Sequence, residues 1–292
     1  MKYLLIIFSL VLVGCGSTPY RDDYAKHVNL ITNNNANFIF DFSEELVVDL
    51  RGQYSKNDTA TASPILYQGA AGIAGMLIQI GAHSSLINSQ RNEKLAAEQK
   101  QANQSIASLI SLTENISLNN LIQEHSFHQQ SLENNDAVIV RMKPIFFSNK
   151  EMTKLSLKSI VWIPVDDKNK KRKQKYKYKY KNMIHIYGDE LNESQQQKLL
   201  DGDATFLSLQ LSNLINTAIN IAKNDLTGGY PVKTNRNKTF FINDGVEKKV
   251  VRGSIIAKQC GYQIIQNLHS WFIAFPLPKT QPNIKNSMSH QC

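Results

Sequence analysis

From Lys171 to Lys181 every odd position is lysine, and tyrosine fills positions 176, 178 and 180 between them. A period of two is the period of a β-strand, whose successive side chains leave on opposite faces, and it fits no helix. Ile184 and Ile186 continue the tyrosine register. The pattern therefore predicts a strand over 175–187, with its lysines in solvent and its tyrosines and isoleucines packed. Such a strand needs partners. Residues 137–142 (AVIVRM) and 155–165 also alternate or run apolar, and the three together read as an antiparallel meander.

The same run holds most of the charge asymmetry. The formal net charge is +9, yet residues 168–181 contain nine Lys or Arg and no acid, which leaves the rest of the chain balanced. Lys171, Arg172, Lys173, Lys175, Lys177, Lys179 and Lys181 are candidates for contact with an anionic surface: lipid headgroups, lipopolysaccharide or an acidic partner. Near an anionic membrane each contributes about 1 kcal/mol. The plainer reading is a solvated hairpin whose lysines discourage edge-to-edge pairing. One local basic stretch does not make the broad basic face of a nucleic-acid-binding protein, and no nucleic-acid partner is expected.

Downstream, Leu207, Leu211, Leu214, Ala218 and Ile221 share one face of a helix expected over 192–225, which Thr227-Gly228-Gly229 ends. Strands follow at 240–242, 246–257, 260–268 and 271–275. Asn243-Asp244-Gly245 joins the first two as a hairpin. Upstream, Thr18-Pro19 reads as the start of a helix over 19–33. Phe38, Phe40 and Phe42 mark a short strand, and Ser43-Glu44-Glu45 reads as the first turn of a helix through Leu50.

Residues 59–90 contain no charge, and their centre is crowded with small side chains. Ala70, Ala71, Ala74 and Gly75 form small-xxx-small pairs, which let helix backbones approach closely and favour association. A membrane-inserted or self-associating helix is one reading. A soluble helix packed in the protein is the other, favoured by Gln68, Gln79 and His83, each of which would need a partner in hydrocarbon. The helical composition continues to about residue 123, with breaks expected near 81–85 or 113–115. The resulting expectation is an α+β protein: a helical N-terminal half containing the small-residue-rich apolar helix, then an antiparallel β-meander with an amphipathic helix inserted. The expected divisions are 1–14, 15–63, 64–130 as helical hairpin or stalk, 136–277 as an α+β domain, and a loose polar tail at 278–292.

The chain begins with one lysine, about ten apolar residues, and Leu12-Val13-Gly14-Cys15. The apolar run is too short to span a bilayer and has the layout of an export signal. Its end resembles the bacterial lipobox. The resemblance covers only the signal and anchor. It implies cleavage before Cys15 and a lipid on that cysteine. With Gly16 rather than aspartate next, it points to the outer membrane, facing the periplasm. Two acyl chains or more hold a protein firmly where one does not. In an exported chain the remaining cysteines, Cys260 and Cys292, are candidates for a disulfide.

No nucleophile elbow, phosphate-binding glycine loop or H-E-x-x-H motif is present. His125-x-x-His128 beside Glu124 lacks further ligands at informative spacing, so no metal or other cofactor is expected. The reading is a lipid-anchored envelope protein with a non-enzymatic binding, scaffolding or assembly role, partnered by the membrane, by itself or by another envelope protein. An envelope hydrolase or transferase without a recognisable motif, and a carrier of lipid or another apolar ligand, are the alternatives.

Overall fold

The computed structural model describes residues 25–31, 36–42, 47–55, 93–122, 137–165, 177–231 and 236–278. They are organised around one ten-stranded mixed sheet. Its long strands are β4 (Val138–Ser148), β5 (Lys154–Pro164) and β6 (Tyr178–Glu190), paired antiparallel in sequence order. The sheet continues through β10 (Phe272–Pro276), β9 (Tyr262–Asn267), β8 (Lys248–Gln259) and β7 (Lys238–Asn243). Three short strands come from the N-terminal part of the chain. β1 (Val28–Asn29) pairs with β6, while β2 (Phe38–Asp41) and β3 (Leu50–Gly52) both pair with β4.

This overturns the expected fold class. The sheet dominates, and the helices do not form an N-terminal half. Nor is the sheet a pure antiparallel meander: β2 and β3 run parallel to β4, and β10 runs parallel to β6. The expected helix over 19–33 is not what residues 25–31 adopt. Val28 and Asn29 pair with Lys181 and Tyr180, and Leu30 N–H donates to Lys179 O at 2.8 Å. The expected helix ending at Leu50 is replaced there by β3. In both places ladder hydrogen bonds along an otherwise unpaired edge override a weak local helix preference.

Helices cover one face. Residues 93–105 are helical (α1), followed by α2 (Ala107–Thr113) and a 3₁₀ turn, Leu118–Leu121. The helix expected over 192–225 is two helices, α3 (Glu193–Leu200) and α4 (Ala204–Leu226). Gly202, whose φ is positive, turns the chain between them. The Asp203 carboxylate caps α4 by accepting from Phe206 N–H at 2.9 Å, which satisfies one of the free donors of the first turn. The five apolar residues expected on one face of this helix are all buried. They pack with Tyr180, Ile184 and Ile186 of β6 and with Leu155, Leu157, Val161 and Ile163 of β5 in the main core. Ser212 Oγ and Asn216 Nδ2 both donate to Leu121 O, at 2.6 and 2.9 Å, and so fasten the 3₁₀ turn to α4. At the other border of the core, β3 lies so close to α1 that a Cβ at Gly52 would collide with the backbone carbonyl of Ala102. Among the described residues no helix is long and apolar enough to cross a membrane.

Candidate functional site

Beyond β6 the sheet does not stay flat. In the strand order β7 lies well beyond β5, with β6, β10, β9 and β8 between them. Neighbouring strands of a flat sheet are spaced by about 4.8 Å, so β5 and β7 would be far out of hydrogen-bonding reach. Yet Lys154 Nζ at the start of β5 donates to Asn243 O at the end of β7 at 2.6 Å. The β7–β8 hairpin must therefore curl back over the face of the sheet that α4 leaves uncovered. β-Bulges sharpen local twist, and they occur where this curl needs them: between Ile255 and Ala257 in β8, and near both ends of the β5–β6 pairing.

A polar clamp holds the hairpin tip. Asn149, in the β4–β5 turn, donates through Nδ2 to Gly245 O at 3.2 Å and to Thr153 Oγ1 at 2.8 Å, and accepts from Lys154 N–H at 2.9 Å. Gly245 has φ +95°, and a Cβ there would press on Asn149 and Lys154 at 3.1 Å. Glycine is thus required at the tip both for its backbone and for its closeness. Asp244, fully buried, accepts from Val246 and Glu247 N–H at 2.9 and 2.8 Å and pairs with Lys249. Burial opposes the charge on Asp244, but these donors outweigh it and hold the carboxyl below its usual range. Burial likewise lowers Lys154 below the usual lysine value, against the pull of Glu190, Asp244 and Asp189.

Between the β7–β8 hairpin, which forms a strap, and the sheet beneath it lies an open cleft of about 390 Å³. Its floor is Lys158 of β5, Met183, His185 and Tyr187 of β6, and Ile273 of β10. Lys249 to Arg252 of β8 form the roof, and Asn267 at the end of β9 with Leu268, His269 and Trp271 of the β9–β10 turn form the side wall. Among the described residues, three lysines or arginines and two histidines line it, and no Asp or Glu does. Two tilted ring pairs border it: His185 with Tyr187, centroids 4.0 Å apart, and His269 with Trp271, 4.8 Å apart. Lys158 Nζ lies 5.1 Å from the Phe147 ring. Burial drives the Tyr187 phenol well above its usual value, with Asp244 and Glu247 adding to the shift, so it stays protonated at neutral pH. This set of groups can hold an anion and an adjoining apolar or ring moiety.

A second polar cluster lies on the helix-covered face. Tyr180 OH and Asn182 Nδ2 donate to Asp225 Oδ2 at 2.6 and 3.3 Å near the C-terminus of α4. Burial raises the Asp225 carboxyl above its usual value, while the two donors and His27 pull it back. Burial, with Asp225 and its hydrogen bond, also places the Tyr180 phenol far above its usual range, and the neighbouring Tyr230 is pushed up to about 12, chiefly by burial. The cluster satisfies polar groups inside a core and is structural.

Of the basic candidates, Lys177 and Lys179 are exposed and Lys181 is half-exposed. Lys171, Arg172, Lys173 and Lys175 lie outside the described residues. The tyrosine register holds for Tyr180, Ile184 and Ile186, all buried, but not for Tyr178. The register shift at Ile163/Pro164 leaves Tyr178 half-exposed, with Lys181 Nζ 4.7 Å from its ring centre. Ala70, Ala71, Ala74, Gly75, Cys15, His125 and His128 lie outside the described residues, as does Cys292. Cys260 is not the start of a strand. Its φ is positive, and with Gly261 it forms the tight turn between β8 and β9, the geometry that two-residue hairpin loops demand.

The cleft residues escaped the sequence reading because they are spread from Lys158 to Ile273. One signal could have pointed to them. Met183, His185 and Tyr187 alternate with Asn182, Ile184 and Ile186, and a strand this apolar on both sides needs a cover on each face. No family model, curated protein or solved structure matches this chain.

Proposed function

We propose that this chain is a lipid-anchored protein of the bacterial envelope, held at the outer membrane facing the periplasm, and that its role is non-enzymatic binding. Two parts support the reading. The lipobox-like Leu12-Val13-Gly14-Cys15 supports the address. The observation that carries the binding role is the strap-covered cleft, in which cations and rings surround a space large enough for a small ligand or a headgroup. The disulfide between Cys260 and Cys292 belongs to the same proposal, since the oxidising periplasm permits it.

Two measurements test this in cells. The native chain should take up a fatty-acid label and fractionate with membranes, and Cys15→Ser should lose both. Hydrogen exchange of residues 249–252 and 267–271 should be slower in envelope membranes than in detergent-purified protein. A label retained by Cys15→Ser contradicts the anchor, and equal exchange in the two settings contradicts the binding role.

A further inference from the structure

The cleft and the N-terminal end of the described chain meet at one place. Trp271, in the cleft wall, donates through Nε1 to Ala25 O at 2.7 Å. Ala25 is fully buried, and Val28 and Asn29 are paired to β6 immediately beyond it. Ala25 is ten residues after Cys15. Ten residues span at most about 36 Å even when fully extended. A lipid on Cys15 therefore keeps the cleft wall within about that distance of the bilayer.

The chemistry of the cleft matches what it would meet there. Lys158 and Arg252 supply positive charge, while Lys249 neutralises the nearby buried carboxylate of Asp244. The rim is apolar and bare. Val250 and Leu268 are 65% and 57% exposed, and Phe241, directly across the ladder from Val250, is 65% exposed. A soluble phosphate ester would need the cations but not this rim. A lipid presents both complements: a phosphate at the surface, and an acyl boundary just beneath it.

We propose that the cleft binds the phosphate headgroup of an anionic lipid in the membrane that holds the anchor, with Lys158 and Arg252 facing the phosphate and Phe241, Val250 and Leu268 entering the acyl boundary. This rests on the anchored-binding reading above. It assigns that reading a ligand and an orientation: the strap faces the bilayer, and α4 faces away.

The test uses the lipidated full-length protein in vesicles. The chain has two tryptophans, so Trp162→Phe leaves Trp271 as the only reporter. Its emission should be quenched at least twofold more strongly by brominated phosphatidylglycerol than by brominated phosphatidylcholine. That difference should disappear near 1 M salt, where the screening length falls to about 3 Å. Lys158→Gln with Arg252→Gln should abolish the preference, whereas Lys238→Gln with Lys258→Gln, which removes the same charge from exposed positions outside the cleft, should keep it. Val250→Ser with Leu268→Ser should weaken quenching in both lipids. Circular dichroism and thermal unfolding establish that each variant is folded. Equal quenching in the two lipids, or equal sensitivity of the two charge pairs, overturns the proposal. So does glycerol phosphate in solution if it protects residues 249–252 from exchange as well as anionic vesicles do, although the binding role would then stand. Failure of the anchor is read separately, from the label on Cys15.

Discussion

Among the described residues, thirty-five buried ones form one continuous core on the face of the sheet that α4 covers. On the face that the β7–β8 strap covers, four do: Tyr187, Ile242, Ile265 and Ile273. Each fully buried aliphatic or aromatic side chain contributes about 1.5–3 kcal/mol, so cohesion is concentrated on the helix side. The strap is held largely by polar groups: the Asn149 bonds, the Lys154 bond to Asn243, and buried Asp244. A net hydrogen bond contributes only about 1 kcal/mol, but a partner left buried and unpaired costs more. One face therefore resembles a domain core, and the other a covered pocket that opens at lower cost. Regions of low local stability are where binding elements are drawn from, and the cleft is in such a region.

The largest expected effect lies on the helix side. Leu211→Ala, at a fully buried position in α4, should lower global stability by about 3 kcal/mol, measured by denaturant unfolding. The comparison breaks if the loss is no greater than that of a strap variant. Asp244→Ala should come next. It removes the acceptor for two backbone N–H groups and strands Lys249, at a cost of about 2 kcal/mol. That cost should appear as faster exchange across β7 and β8, with little change in β5 and β6.

Acid sharpens the contrast because the two faces carry carboxylates shifted in opposite directions. Asp244 titrates below its unfolded value, so its stabilisation is complete above about pH 4. It is lost as pH falls through the depressed folded value. Asp225 titrates above its unfolded value. Its penalty is absent in acid and builds as pH rises through the ordinary carboxylate range towards the raised folded value. Lowering the pH below about 4 should therefore loosen the strap while relieving the helix face, as read by exchange corrected for its intrinsic pH dependence. Equal loosening of both faces would contradict the assignment. The smallest effect belongs to Trp271→Phe, which leaves Ala25 O without its donor and should cost about 1 kcal/mol, seen as local exchange at residues 28–30.

The elements that were legible in the sequence are those whose signals are local. The alternation around β6, the apolar stripe of α4 and the Asn243-Asp244-Gly245 turn all lie within a few residues. What was not legible depends on distant partners. β2 was marked by Phe38, Phe40 and Phe42, but its parallel pairing with β4 was not, and β3 is a strand only because the edge of β4, far later in the chain, pairs with it. The curl arises from bulges and from Asn149 meeting Gly245, residues 96 apart in the chain. The cleft inherits that difficulty, since Lys158 and Arg252 have nothing in common until the hairpin folds back. The Lys-Tyr run shows the limit within a single strand: one register shift moves Tyr178 out of the pattern that Tyr180 keeps.

Native-state hydrogen exchange of the intact protein, resolved to single amides, tests the unequal cover of the two faces most directly. The β7–β8 amides should exchange through a local opening at least tenfold more often than those of β5 and β6, which should exchange only on global unfolding. If strap and central strands instead share one protection level and one denaturant dependence, the strap is an integral part of the core and the two faces are not unequally covered.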